Sequence, residues 1–323
     1  MVAPARGAPA GGDVFSGADL ARAARLLRVR SRREAASAFA GGYRSAFRGG
    51  GVEFEESRPY VPGDEVRFLD WNALARTGVP YVKRFREERD QTLFLVLDVS
   101  ASMGFGSTGR AKAGAAAHAA ALLVAAASRA GDRVGLLTFD EAVREEIAPG
   151  RGEGHAWRVL RALVGSARAS AGGTGLSTAL ARARSALPRR GVVFVLSDFR
   201  DDAFFAAPPG GHPPRAELLA LARAHDAVAI AIHDPREDEI PSAGGLRIAD
   251  PEARGPSLVF PSRSRRARER YRAACEVRRR ALARRLRADG ADVVSLRADR
   301  EPLRVLARFF ATRAARRGRV APS

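Results

Sequence analysis

Leu93-Phe94-Leu95-Val96-Leu97-Asp98-Val99-Ser100-Ala101-Ser102-Met103-Gly104 is the stretch that decides the fold. Leu93 to Leu97 form an uncharged apolar run, as a strand covered on both faces requires. The run stops at Asp98, and side-chain oxygen then recurs at alternate positions: Asp98, Ser100, Ser102. Gly104 and Gly106 follow, and an alanine-rich segment then reads as a helix. A strand passing through a short loop into a helix puts that loop at the carboxyl edge of a parallel sheet, where open α/β folds bind ligands. One carboxylate and two hydroxyls there suit a hard divalent cation, because such cations take oxygen and Mg²⁺ keeps few protein ligands plus water. Taken alone, the pattern fits an ordinary serine-rich turn equally well.

Downstream, the pattern of strand then helix repeats. Ala111 to Ala130 reads as the first covering helix, Arg133 to Phe139 as a strand, and Ala142 to Ile147 as a short edge strand. His155 to Ala167 carries Trp157, Leu160, Leu163 and Val164 on one helical face. Gly172-Gly173-Thr174-Gly175 is a glycine-rich loop able to bring the Thr174 hydroxyl close to a site. A helix from Leu176 to Leu187 stops before Pro188, and Gly191 to Leu196 is another uncharged strand that runs into Ser197-Asp198. Ala216 to His225 reads as a helix and Ala227 to Ile232 as a buried-type strand ending at His233-Asp234-Pro235. Residues 234–257 read as a charged, proline- and glycine-rich loop, in which Asp234, Glu237, Asp238 and Glu239 are expected to be solvated rather than to form a second cation site. Ser264 to Leu286 is expected as a long helix, Ala291 to Leu296 as the last strand and Pro302 to Arg313 as the last helix. The alternation predicts an α/β chain with a doubly wound, mostly parallel sheet.

Upstream, residues 1–16 are rich in Gly, Pro and Ala and are expected to be disordered. Asp19 to Arg33 has the spacing of a basic amphipathic helix, whereas Gly41-Gly42 and Gly49-Gly50-Gly51 interrupt the segment after it. Between Val52 and Asp90, opposite charges alternate with aromatics around the turn signal Pro62-Gly63-Asp64. This block reads as a small, ion-paired, β-containing appendage packed on the main domain rather than as catalytic machinery.

Two strand ends thus carry Asp98 and Asp198, with Thr174 in the connection between them. Asp98, Ser100, Ser102, Thr174 and Asp198 resemble, in all five positions, the metal-ion-dependent adhesion site (MIDAS) of von Willebrand factor A-type domains. Arg58-Pro59-Tyr60-Val61-Pro62-Gly63-Asp64, Asp70-Trp71, Ala75-Arg76 and Lys83, followed by the Asp98 loop, resemble the family called domain of unknown function 58. The likeness runs from about Gly50 to Arg313 and includes Asp234-Pro235-Arg236-Glu237 and Phe309-Phe310.

The resemblance implies a von Willebrand factor A-like domain over 91–313, preceded by a disordered tail at 1–16 and an N-terminal helix with the β appendage at 17–90, and followed by a basic tail at 314–323. It implies a metal-binding adaptor or assembly module holding Mg²⁺ or Mn²⁺ and working with a MoxR-type AAA ATPase. A client protein supplying an acidic ligand would be a second partner. It also implies that Asp98 and Asp198 act partly through water. Gly175 departs from the pattern, since an acidic residue is common after the threonine. Many relatives carry membrane helices ahead of this region, and none is expected here.

Composition narrows the alternatives. The 323 residues are 46% hydrophobic, enough for a sizeable core. One cysteine, Cys275, excludes an internal disulfide framework and suits a reducing compartment, so a cytoplasmic protein without membrane insertion is expected. The net charge of +19 invites a nucleic-acid reading. Lysine stands only at Lys83 and Lys112, however, so the charge is almost all arginine and reflects coding bias at least as much as phosphate contacts. No aromatic platform interleaves the arginines of 264–286, which weakens a single-strand-binding role further. Among enzyme readings, a metal-dependent hydrolase is the remaining alternative. There is no P-loop and no Asp-x-Asp phosphorylation motif, the histidines show no paired metal spacing, and Ser100 and Ser102 have no evident base. The expectation is therefore no enzymatic activity.

Overall fold

The structure, a computed structural model, describes residues 33–47, 52–64, 69–87, 91–166, 172–200, 214–249 and 258–318. In chain order, α1 (Arg33–Phe47) precedes β1 (Val52–Pro59), α2 (Trp71–Thr77) and β2 (Tyr81–Glu87). Then come β3 (Thr92–Asp98), α3 (Lys112–Ala130), β4 (Arg133–Phe139), β5 (Val143–Gly150) and α4 (Glu153–Gly165). They are followed by α5 (Leu176–Ala186), β6 (Val192–Ser197), α6 (Pro214–Ala224) and β7 (Asp226–His233). Last are β8 (Gly245–Ile248), β9 (Leu258–Pro261), α7 (Arg265–Ala288), β10 (Asp292–Arg297) and α8 (Pro302–Gly318).

Six strands form one sheet in the order β10-β7-β6-β3-β4-β5, parallel throughout except for β5, which pairs antiparallel with β4 at the edge. The uncharged runs are explained by alternation onto two covered faces. Leu93, Leu95 and Leu97 of β3 join one core, with Val192, Phe194 and Leu196 of β6 and the helices α1, α3, α4 and α8. Phe94 and Val96 enter the other core, with Val193 and Val195 and residues of α5, α6 and α7. The expected mixed α/β class with a mostly parallel sheet is thus the observed one. Because β3 pairs with β4 on one side and β6 on the other, the strand order reverses there, and the crevice at the carboxyl ends of β3 and β6 is the switch point of the sheet.

Helix α3 is buried on nearly every side, and its alanines let neighbouring helices and the sheet approach closely. It is long and apolar enough to cross a membrane, but 83% of its apolar window lies inside the fold, as in a core helix.

Four expectations need correction or extension. The helix read at Asp19 to Arg33 lies outside the described residues except for Arg33. The interrupted stretch after it is the helix α1, and Phe39, Tyr43 and Phe47 stack against Phe310 of α8. Gly42 faces Phe310, where an added Cβ would make an ordinary contact at 3.5 Å, and Gly41 faces open space, so the pair sits within α1 without breaking it. The loop read over 234–257 contains one helical turn, Pro235–Asp238, and the strand β8, which pairs antiparallel with β9. Helix α8 continues to Gly318, past Arg313, where its sequence signal ends.

The 52–87 block is an antiparallel β1–β2 pair, and α2 packs on β2. Its ion pairing is real: Arg58 makes two bonds to Asp64, at 2.9 and 2.6 Å, and Asp64 also accepts from the Val61 N–H at 3.0 Å. Asp70 caps α2 by accepting from Asn72 and Ala73 N–H at 3.2 and 3.1 Å. These bonds give Arg58, Asp64 and Asp70 structural roles.

Candidate functional site

Four neighbouring parallel strands each run into an aspartate at the same edge of the sheet: Asp98, Asp140, Asp198 and Asp234. All four are buried. Buried carboxylates persist only when bonded or neutralised, and their partners differ.

Asp98 accepts from the Ser100 N–H at 2.9 Å through Oδ1 and from the Ser197 hydroxyl at 2.6 Å through Oδ2. Burial, and secondly the Asp198 carboxylate, push Asp98 up to about 7, against the pull of its bonds from Ser100 and Ser197. Asp198 accepts from the Arg200 N–H at 3.1 Å and from the Lys112 ammonium at 2.5 Å. The backbone is set by strain next door: buried Phe199 has φ of 52°, a left-handed conformation that bulky residues rarely adopt.

After Asp98 the chain turns through a short 3₁₀ segment, Ala101–Gly104. The Ser100 and Ser102 hydroxyl oxygens lie 3.3 Å apart, both buried. The glycine-rich loop docks on this turn: Ala101 N–H donates to the Gly172 carbonyl at 2.9 Å, and Gly175 N–H to the Asp140 carbonyl at 2.5 Å. Asp98, Ser100, Ser102 and Asp198 are therefore brought together, and the backbone around Thr174 is held beside them. Gly175 has a steric cause. A Cβ there would lie 2.4 Å from the Glu141 carbonyl oxygen, so an acidic side chain after Thr174 has no room without a backbone shift.

Sequence reading missed the residues that balance the site. Lys112, the first residue of α3, is wholly buried and donates to Glu237 at 2.7 Å as well as to Asp198. Glu237 also accepts from the Asp234 N–H at 3.0 Å, and Arg200 lies 3.4 Å from it. Asp234 takes the Ser107 N–H at 2.8 Å, and Asp238 pairs with Arg279. Asp234, Glu237 and Asp238 are thus buried and paired, which overturns their reading as solvated, whereas Glu239 is exposed as expected. One signal was available: in a chain with 55 Lys plus Arg, Lys112 is one of two lysines.

Among the described residues no three His, Cys, Asp or Glu side chains converge as a metal cluster. An oxygen site built on hydroxyls remains compatible with that. Next to Asp198, a cavity of about 290 Å³ lies under α7, with Ile232, Leu282 and Leu286 on its apolar wall and Arg200, Tyr271 and Cys275 on its polar one. Burial pushes Tyr271 up to about 12 and also raises the Cys275 thiol, so neither is primed as a nucleophile.

The family model described as "Protein of unknown function DUF58" matches residues 56–281. The uncharacterized protein Rv1480 of Mycobacterium tuberculosis is 34% identical over 303 residues, covering 94% of this chain and 92% of that protein. The uncharacterized protein MAV169 of Mycobacterium avium is 32% identical over 164 residues, half of this chain and 89% of that protein. Among solved structures, conserved hypothetical protein BatB from Bacteroides thetaiotaomicron aligns over 70% of this chain and 99% of its own, with 15% identity and a TM-score of 0.44. An aerotolerance-related membrane protein from Bacteroides fragilis covers the same shares at 14% identity and a TM-score of 0.46.

Proposed function

Because the chain belongs to the DUF58 family, whose function is unknown, we propose a role from its site: a metal-dependent protein–protein interaction module, acting in assembly and not as an enzyme. In this reading the domain is von Willebrand factor A-like and cytoplasmic, its site is of the MIDAS type, and its partners are a MoxR-type AAA ATPase and a client bearing an acidic residue.

One observation carries the proposal. Every carboxylate oxygen of Asp98 and Asp198 already accepts a hydrogen bond from the protein, while the Ser100 and Ser102 hydroxyls face each other 3.3 Å apart. Adjacent ligand oxygens on an octahedral Mg²⁺ with bonds near 2.1 Å are about 3 Å apart. The donor set fits such an ion: Ser100, Ser102 and Thr174 would hold Mg²⁺ or Mn²⁺ directly, and Asp98 and Asp198 through water. A cation held mainly by neutral oxygens retains attraction for an anion, and a partner's Glu or Asp would complete it. The bound ion supplies Lewis acidity toward that carboxylate.

The test is calorimetric titration of Mg²⁺ and Mn²⁺ into the chain and into Ser100→Ala/Ser102→Ala, followed by capture of the organism's own MoxR-type ATPase with and without chelator. Saturable binding lost in the double variant, and capture lost in chelator, are expected. Equal capture in chelator would remove the coordination model.

A further inference from the structure

We propose that Lys112 is the internal counter-charge of this site, lowering its intrinsic affinity for a divalent cation so that firm binding waits for an incoming carboxylate. The inference rests on the metal reading above and adds a positioning residue to it.

Lys112 Nζ lies 2.5 Å from Asp198 and 2.7 Å from Glu237, and its side chain has no exposure. A buried ammonium between two carboxylates is held by both, and its own loss would leave Asp198 an uncompensated buried charge. The chain uses arginine almost everywhere else, and a compact ammonium suits an enclosed point between two carboxylates where a broad planar guanidinium does not. The electrostatic consequence comes from the count of charges. Asp198 is neutralised by Lys112, and Glu237 shares Lys112 with a contact to Arg200. Asp98 is held by a hydroxyl and an N–H instead of a cation. The serines add no charge. Of the two aspartates in the proposed ligand set, a divalent cation at the hydroxyls therefore meets only Asp98 without a cationic partner, and its remaining charge is available to a carboxylate from outside.

The charges give opposite signs for two variants. Lys112→Met combined with Glu237→Gln removes one positive and one negative charge, leaving Asp198 unopposed, and Mg²⁺ affinity should rise on the order of tenfold. Glu237→Gln alone, nearly isosteric, leaves Lys112 acting on Asp198 undivided, and affinity should fall by roughly threefold or more. Calorimetric titration of Mg²⁺ into the full chain and both variants reads this, with thermal melts in chelator confirming that each is folded. If the Lys112→Met pair fails to fold, the Glu237→Gln direction still decides. Shifts of opposite sign, or the fall alone where only that variant folds, support the proposal. Wild-type binding with unchanged variants, or with both moved the same way, overturns the role of Lys112 and leaves the metal reading intact. Absence of Mg²⁺ and Mn²⁺ binding to the wild type overturns the metal reading, and this proposal with it.

Discussion

The Ser197 hydroxyl donates to Asp98 Oδ2 at 2.6 Å and accepts from the Phe199 N–H at 3.0 Å, so one side chain ties the end of β3 to the strained turn after β6. Ser197→Ala leaves a buried carboxylate oxygen and a buried N–H each short of a partner. It should cost about 2–3 kcal/mol in urea unfolding. The slope of the unfolding curve should stay as in the wild type, because the strands themselves do not depend on the hydroxyl.

At the opposite edge of the sheet, Arg313 pairs with Asp226 and Asp292 at the starts of β7 and β10. It also donates to the Ala46 carbonyl at 3.1 Å and stacks 4.6 Å from the Phe47 ring centroid. A lysine cannot reproduce the fork or the stacking. Arg313→Lys should therefore destabilise by about 2–3 kcal/mol, with Arg313→Ala worse, measured by urea unfolding. A loss below about 0.5 kcal/mol for the lysine variant would make the arrangement incidental.

Sequence legibility divides along the range of the interactions. The strands were readable because a strand covered on both faces must be uncharged over its whole length, as at 93–97, 192–196 and 227–232. The Asp98, Ser100, Ser102 pattern was readable because alternation along a few residues is local. Helix α1 was not, because Gly41-Gly42 looks like a break, whereas what holds the helix is the packing of Phe39, Tyr43 and Phe47 on Phe310, far along the chain. Nor were Lys112 and Glu237, whose bond spans 125 residues. The acidic run at 234–238 looked solvated for the same reason: its partners Ser107, Lys112 and Arg279 are distant in sequence.

Gly175→Ala should disturb the site through the backbone. The added Cβ meets the Glu141 carbonyl and the Asp140 carbonyl, neither of which is the movable end of a side chain. A loss of more than about 2 kcal/mol is expected, together with weaker Mg²⁺ binding as the Thr174 loop moves off Ala101. Gly154→Ala is the control, because a Cβ there meets nothing within 4 Å and the change should be neutral or slightly stabilising. Similar melting temperatures for the two variants would contradict the steric argument.

Asp98→Asn should stabilise the metal-free protein at neutral pH while abolishing its response to metal. The folded-state value of Asp98 is raised from 3.8 to about 7 by burial and by Asp198. Below about pH 4 both folded and unfolded states carry the proton, and this group exerts no penalty. As pH rises from about 4 to 7 the unfolded chain releases its proton while the folded one retains it, so stability falls across that window and levels off above it. The loss is on the order of a few kcal/mol. The other charges at Asp98 are Asp198 and, through it, Lys112 and Glu237, and all three remain in the variant. The difference between wild type and Asp98→Asn, followed by unfolding in chelator at pH 4.5, 6 and 8, should therefore grow with pH in favour of the variant. Added Mg²⁺ should reverse the order at pH 8, because the cation competes with the proton for the site and stabilises only the chain that binds it. Stabilisation of wild type by Mg²⁺ should accordingly be larger at pH 8 than at pH 5.5. Equal Mg²⁺ stabilisation of both proteins at pH 8 would detach Asp98 from metal binding and leave it a structural acid under β6.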